Sequence, residues 1–114
     1  MRILVILLCG TAVAHAAQTP SGKEVFEKRC TGCHSLDDQR MGPRLRGVFG
    51  RKAGTVEGFP YSDALKGSHV VWNAESLEKW LSDPDQFVPG NDMSFSVRKG
   101  DERAAIIEFL RTLK

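Results

Sequence analysis

The apolar positions of this chain fall into three regimes: an unbroken run at the start, helical spacing near both ends, and a long middle stretch without a period. Ile3 to Cys9 is continuous apolar sequence. Further on, Phe26, Cys30 and Cys33 fall at i, i+4 and i+7, the stripe of an amphipathic helix. Ser21-Gly22-Lys23-Glu24 opens that helix with the pattern of a capping box, the serine as N-cap and Glu24 at the third helical position. The stripe predicts that the helix carries both sulfurs toward the core.

From Ser35 to about Gly58 neither helical nor alternating spacing holds, and Gly42, Pro43, Gly47, Gly50, Gly54 and Gly58 interrupt it. A structureless loop of this length is unusual in a small domain. It makes sense where the chain drapes round a flat cofactor in place of a partner element. A short helix is expected at Ser62 to Lys66, ended by Gly67. Another starts after Asn73, carries Leu77, Trp80 and Leu81 on one side, and stops at Asp83-Pro84. The last follows Asp101, with Ile106, Phe109, Leu110 and Leu113 on one face. No segment alternates convincingly as a strand, so the expected class is all-α, short helices with long loops.

The opening run is an address label. Arg2, the apolar run and Ala14-His15-Ala16 form the pattern of a secretory signal peptide over residues 1–17. The run is far shorter than the roughly 20 residues of a membrane span, so no membrane insertion is expected after cleavage. Residues 18–114 then form one domain. Of 16 Lys+Arg and 14 Asp+Glu, loss of Arg2 leaves 15 against 14, a net charge of +1. That balance gives no support to nucleic-acid binding. Arg40, Arg44, Arg46, Arg51 and Lys52 are expected in solvent.

The chemistry centres on Cys30-Thr31-Gly32-Cys33-His34. Two cysteines three apart with a histidine directly after is the attachment pattern of a c-type haem. Positions i and i+3 at a helix end share a face, so both sulfurs reach one edge of the macrocycle, and the histidine turns under it as an iron ligand. A dithiol redox site would follow a strand, and none precedes Cys30. A zinc site needs four ligands, and only His69 remains to join these three. A simple disulfide would leave His34 unexplained.

A second iron ligand would close the site to substrates and make an electron carrier. Met93, His69 and Met41 are the candidates. Met93 is preferred, because Pro89-Gly90-Asn91-Asp92-Met93 is a polar turn with no core for a methionine to fill. Met41 lies too close to His34 to cross easily to the opposite face, and His69 sits in a Gly-Ser-His turn.

Together these motifs resemble the small soluble class I cytochromes c of mitochondria and purple-type bacteria, over nearly all of residues 22–113. The resemblance is carried by the Cys30–His34 motif, Gly42-Pro43-Arg44-Leu45, Gly47-Val48-Phe49-Gly50-Arg51-Lys52, Tyr61-Ser62-Asp63-Ala64, Trp72, Pro89-Gly90 and Met93-Ser94-Phe95. It implies one covalent haem c, with thioethers at Cys30 and Cys33 and axial ligands His34 and Met93. It further implies that the Pro43 carbonyl accepts the His34 Nδ1 proton, that Tyr61 and Trp72 donate to a propionate near Arg51, and that Phe95 covers the haem. Gly22 and Phe26 would cross the last helix near Phe109. Two positions depart from the family: Leu65 stands where an asparagine is usual and Trp80 where a tyrosine is usual. An indole donates one hydrogen bond and accepts none, so a drier haem pocket is expected.

The function these readings imply is one-electron transfer in the periplasm, by a monomer that meets redox protein partners transiently. A peroxidase-like haem enzyme, or the haem subunit of a periplasmic dehydrogenase, is the alternative. The resemblance implies a ring of cations at the exposed haem edge, of which Arg29, Arg98 and Lys99 keep some while Glu24, Asp85, Gln86 and Asp92 do not. Residues 75–92 hold Glu75, Glu78, Asp83, Asp85 and Asp92 against Lys79 alone, so a mixed or weakly charged docking face is expected.

Overall fold

Gly22 fixes how the two ends of the domain meet. In the computed structural model, which describes residues 9–14 and 20–114, five helices succeed one another: α1 (Gly22–Arg29), α2 (Asp63–Lys66), α3 (Ala74–Ser82), α4 (Pro84–Phe87) and α5 (Gly100–Thr112). A Cβ at Gly22 would overlap the Ala105 carbonyl oxygen and stand 2.8 Å from Phe109 Cβ. Only a residue without a side chain lets α1 lie this close against α5. The Phe26 and Phe109 rings meet at the crossing, 5.2 Å between centroids and tilted by 49°. Arg29 closes the other side, with Nε and Nη2 on the two Glu102 carboxylate oxygens at 3.0 and 3.2 Å.

α3 packs on α5 and brings in Leu77, Trp80 and Leu81, all buried as expected. Its start is a reciprocal cap: Asn73 Oδ1 accepts the Ser76 N–H at 2.9 Å, and Ser76 Oγ accepts the Asn73 N–H at 2.8 Å. Arg103 ties the layers together, donating to Glu78 at 2.7 Å and to the Val97 and Arg98 carbonyls, both at 2.9 Å. Ile106 at 0 % and Val97 and Phe26 at 2 % exposure mark the centre of the core. Burying a side chain of that size stabilises a fold by about 1.5–3 kcal/mol.

The middle stretch is irregular, as its glycines imply. Its order comes from hydrogen bonds to distant segments: the Gly47 N–H to the Leu113 carbonyl at 3.1 Å, Ala53 to Val70 at 2.7 Å, and Trp72 to Arg51 at 2.9 Å. Lys52 and Val71 make an isolated antiparallel bridge, and no strand forms among the described residues. Gly54, at φ +75°, lies where a Cβ would come within 2.9 Å of Lys66 Cα. α2 begins and ends where expected, capped by Ser62 Oγ accepting the Leu65 N–H.

Several local expectations need correction. Ser21 is the N-cap of α1, but its side chain makes no capping hydrogen bond. α1 stops at Arg29, and Cys30 is already its C-cap. The sulfurs therefore do not share one buried stripe: Cys30 is half-buried and Cys33 is exposed, because the chain turns between them. Pro84 does end α3, yet it also starts α4. A proline at the first helical position sacrifices no helical bond, and Asp83 Oδ1 caps the new turn through the Gln86 N–H at 3.1 Å. α5 begins at Gly100, earlier than Asp101 suggested, so Asp101 and Glu102 lie in its first turn. Of the expected signal peptide, residues 1–8 and 15–17 lie outside the described residues; residues 9–14 are exposed and without regular structure.

Candidate functional site

The turn after α1 builds the site from the backbone outward. The Cys30 carbonyl accepts the His34 N–H at 2.9 Å and the Cys33 N–H at 3.2 Å, so the five-residue motif winds tightly and turns His34 inward. The Gly42 N–H donates to the Cys33 carbonyl at 2.9 Å, which pins the following loop under the imidazole. A Cβ on Gly42 would overlap the His34 imidazole, 2.7 Å from Nε2 and closer still to Cε1. The next residue supplies the partner: His34 Nδ1 donates to the Pro43 carbonyl at 2.8 Å. Nδ1 is thereby committed as a donor, and Nε2 becomes the nitrogen with a free lone pair. This bond sets the tautomer a metal-binding histidine needs.

Protonation agrees with that picture. Burial holds His34 below its ordinary value, against the opposing bond to Pro43, and nearby Arg40 pushes the same way as burial. The neutral, metal-binding form is favoured. Burial alone pushes the Cys30 thiol up to about 11. A nucleophilic thiol has a lowered pKa, and burial works in the opposite direction at Cys30.

The three possible second ligands are in different surroundings. Met41 is 80 % exposed. His69 is exposed in the turn after α2, at φ +58°. Met93 is half-buried and packs against the core. Its N–H is held by Asn91 Oδ1 at 2.7 Å. Sequence reasoning took Asn91 only as part of a turn-rich stretch; an asparagine bonding the backbone two residues on is the readable signal.

A polar corner is assembled from residues far apart in sequence. Tyr61 Oη accepts the Val56 N–H at 3.1 Å, which leaves its own proton to donate. Arg51 is half-buried, with Nη2 on the Arg44 carbonyl at 2.9 Å. Burial holds Arg51 below its ordinary value, Tyr61 acts against this, and Arg44 adds to it. Arg51 is thus the one member of the expected solvated set that is partly enclosed; Arg40, Arg44, Arg46 and Lys52 are exposed. Trp72 is buried against Trp80, with ring centroids 5.3 Å apart. No acceptor among the described residues takes its indole N–H, and no polar side-chain atom among them is sealed off unpartnered. Phe95 is exposed at 44 %, two residues from Met93.

A c-type haem fits these residues. Two thiols flank a turn that presents a neutral imidazole. A phenol, an indole N–H and an enclosed guanidinium have donor capacity to spare for propionate carboxylates. Cys30, Leu45, Phe49, Leu65 and Met93 each pack on the core yet stay half-exposed, as apolar groups would beside a flat apolar body.

Fold and site together match one class of protein, the small all-α haem carriers whose attachment turn follows the first helix. Residues 20–114 match the family model described as cytochrome c. The chain is 45% identical over 93 residues to "Cytochrome c type-1" of Ascaris suum, covering 79% of this chain and 83% of the relative. It is 39% identical over 105 residues to "Cytochrome c2" of Blastochloris viridis, covering 90% and 82%. Among solved structures, cytochrome cH from Methylobacterium extorquens superposes with a TM-score of 0.77 at 37% identity, covering 84% of this chain and 99% of that one. The chain belongs to the cytochrome c family, as a small class I member. It is an electron carrier with a covalent haem c, and not an enzyme.

Proposed function

We propose that this protein shuttles single electrons in the periplasm, with Cys30 and Cys33 as thioether anchors and His34 and Met93 as axial ligands. The observation that carries the reading is the His34 arrangement, with Nδ1 on Pro43 O at 2.8 Å and a backbone packed against the ring at Gly42. Both features hold the imidazole in one orientation, which serves a permanent ligand. Bound between these residues, the haem supplies the ferrous–ferric couple. The side chains have three tasks: to keep the ligands in place in both oxidation states, to exclude water, and to leave one edge for partners.

Met93 is favoured as the second ligand by its half-buried place on the core, against the exposed Met41 and His69. A thioether at that position favours the ferrous form and raises the potential. Tyr61, Trp72 and Arg51 would stabilise the propionates by hydrogen bonding and charge. Phe95, exposed beside Met93, would shield the haem on that side. Leu65 and Trp80 bring no acceptor to the pocket interior, and the pocket is drier for it.

Periplasmic location rests on the signal-peptide pattern of residues 1–17. No helix among the described residues is long and apolar enough to cross a membrane. A monomer meeting a donor and an acceptor transiently, through small interfaces, suits a shuttle. The decisive preparation is protein from a host that matures c-type cytochromes. Colour that stays with the polypeptide through acid–acetone extraction, and loss of that retention in the Cys30→Ala, Cys33→Ala double variant, is expected. Extractable haem with both thiols open to alkylation would overturn the reading.

A further inference from the structure

Between Asn91 and Val97 the backbone is nearly free of hydrogen bonds. The Val97 N–H donates to the Leu81 carbonyl at 2.8 Å, and the Asn91 N–H to the Val88 carbonyl at 3.2 Å. Within the five residues between them, a single hydrogen bond is seen among the described residues, from the Met93 N–H to Asn91 Oδ1 at 2.7 Å. The same amide reaches backward. Its Nδ2 donates to the Val88 carbonyl at 2.8 Å and the Pro84 carbonyl at 3.0 Å, and lies 3.3 Å from Asp85 Oδ1.

These partners fix the side chain. A flipped amide would set Oδ1 against two carbonyls and Nδ2 against an N–H, losing every bond it makes. One carbonyl it holds belongs to Pro84, the first residue of α4, and the other to Val88, its C-cap; Asp83 caps the opposite end. The amide therefore joins a short, capped helix to the backbone of Met93. Asn91 is half-buried, so solvent competes only in part for these bonds.

We infer that Asn91 is a positioning residue for Met93: its side chain staples the Met93 backbone to α4 and sets how often the thioether swings away. The inference rests on Met93 being the iron ligand, but the staple itself is read without the iron. Without it, segment 92–96 hangs from its two ends, and the sulfur has a larger volume to explore. The local opening equilibrium then rises by about fivefold, the factor for one hydrogen bond of ordinary net strength.

The test is made on the holoprotein, with Asn91→Ala and Asn91→Thr beside the wild type. Amide hydrogen exchange of the ferrous form reports the staple. Imidazole association with the ferric form reports departure of the sulfur. In Asn91→Ala, Met93 amide exchange and imidazole association each rise about fivefold, while the Ile106 amide changes far less. In Asn91→Thr, whose hydroxyl retains one acceptor, both values fall between. Equal acceleration at Met93 and Ile106 would show a merely structural role, and changes below twofold at Met93 would remove the staple altogether. Should Asn91→Ala not accumulate, the wild type still decides: Met93 amide exchange no slower than that of Ser94 overturns the inference. Failure of the ligand reading looks different, since imidazole would then bind the wild type as fast as the variants while the exchange contrast persisted.

Discussion

At the residue scale, Gly42 and His69 make opposite demands on the backbone. A methyl group at Gly42 collides with the imidazole of His34, so either the ring or its loop must move, and the bond to Pro43 is the first casualty. Gly42→Ala is expected to cost about 1–3 kcal/mol, the range for overpacking a well-packed site, and to lower the yield of red holoprotein. Denaturant midpoints checked beside absorbance would show both. His69 sits at φ +58°, a conformation that costs an L-residue about 1–2 kcal/mol. Glycine relieves that cost but adds disorder to the unfolded chain. His69→Gly should therefore stabilise the protein by about 0.5–1 kcal/mol in urea unfolding, with the visible spectrum unchanged. An altered spectrum would bring His69 back as a ligand. Single residues were partly legible in the sequence. The five-residue motif announces its chemistry because order and spacing are both fixed by the haem edge. The exposure of Cys33 was not legible, because the turn after Arg29 follows from backbone hydrogen bonds that no periodicity encodes.

At the scale of elements, α1 and α5 form the frame from which the attachment turn projects. Arg29 and Glu102 tie the frame together where the turn begins. The hydrogen bond and charge of Arg29 hold the Glu102 carboxyl below its ordinary 4.5, and Lys99 and Lys28 add to the effect. A carboxyl depressed in the folded state contributes stability at pH values above its unfolded value, lost as pH falls through the folded one. Glu102→Gln should thus flatten the acid limb of the stability profile below about pH 4.5 and leave the limb above pH 6 parallel to wild type. Identical acid limbs in the two proteins would contradict the assignment. Helix α3 was readable because its apolar spacing and its Asn73 cap agree with the packing it meets, α2 from its Ser62 cap and Gly67 stop, and α5 from its apolar face alone. α4 was not, since a proline that ends one helix signals just as well the first position of the next. The serine capping pattern before α1 misled for a related reason: Ser21 takes the cap conformation, but its hydroxyl makes no bond to the helix.

For the whole molecule, pairing of charges decides what a partner meets. On the acidic stretch after Asn73, Glu75 pairs with Lys79, Glu78 with Arg103, and Asp83 is spent on capping α4. Asp85 and Asp92 are left on that side, while Arg29 is engaged by Glu102. Exposed Arg98 and Lys99 supply the opposite sign, so the surface offers both signs and long-range steering is weak. Association rates with a redox partner are expected to fall by less than about tenfold between 10 and 200 mM salt, a range over which strongly steered pairs fall far more. Stopped-flow electron transfer across that range checks this, and a steep decline would reveal a charged face that these pairings do not suggest. The irregular middle of the chain belongs to this scale as well. Its bonds to Leu113, Val70 and Trp72 are long-range, so glycine content foretold irregularity without foretelling where the chain would go.

The account turns on iron held between one imidazole and one thioether, and the ferric absorption spectrum of Met93→Ala holoprotein beside the wild type addresses it most directly. The wild type should show a weak long-wavelength sulfur–iron band and bind cyanide slowly, whereas Met93→Ala should lose the band and take up cyanide rapidly. A wild type already without that band, or a variant whose spectrum and cyanide uptake match it, would contradict the account.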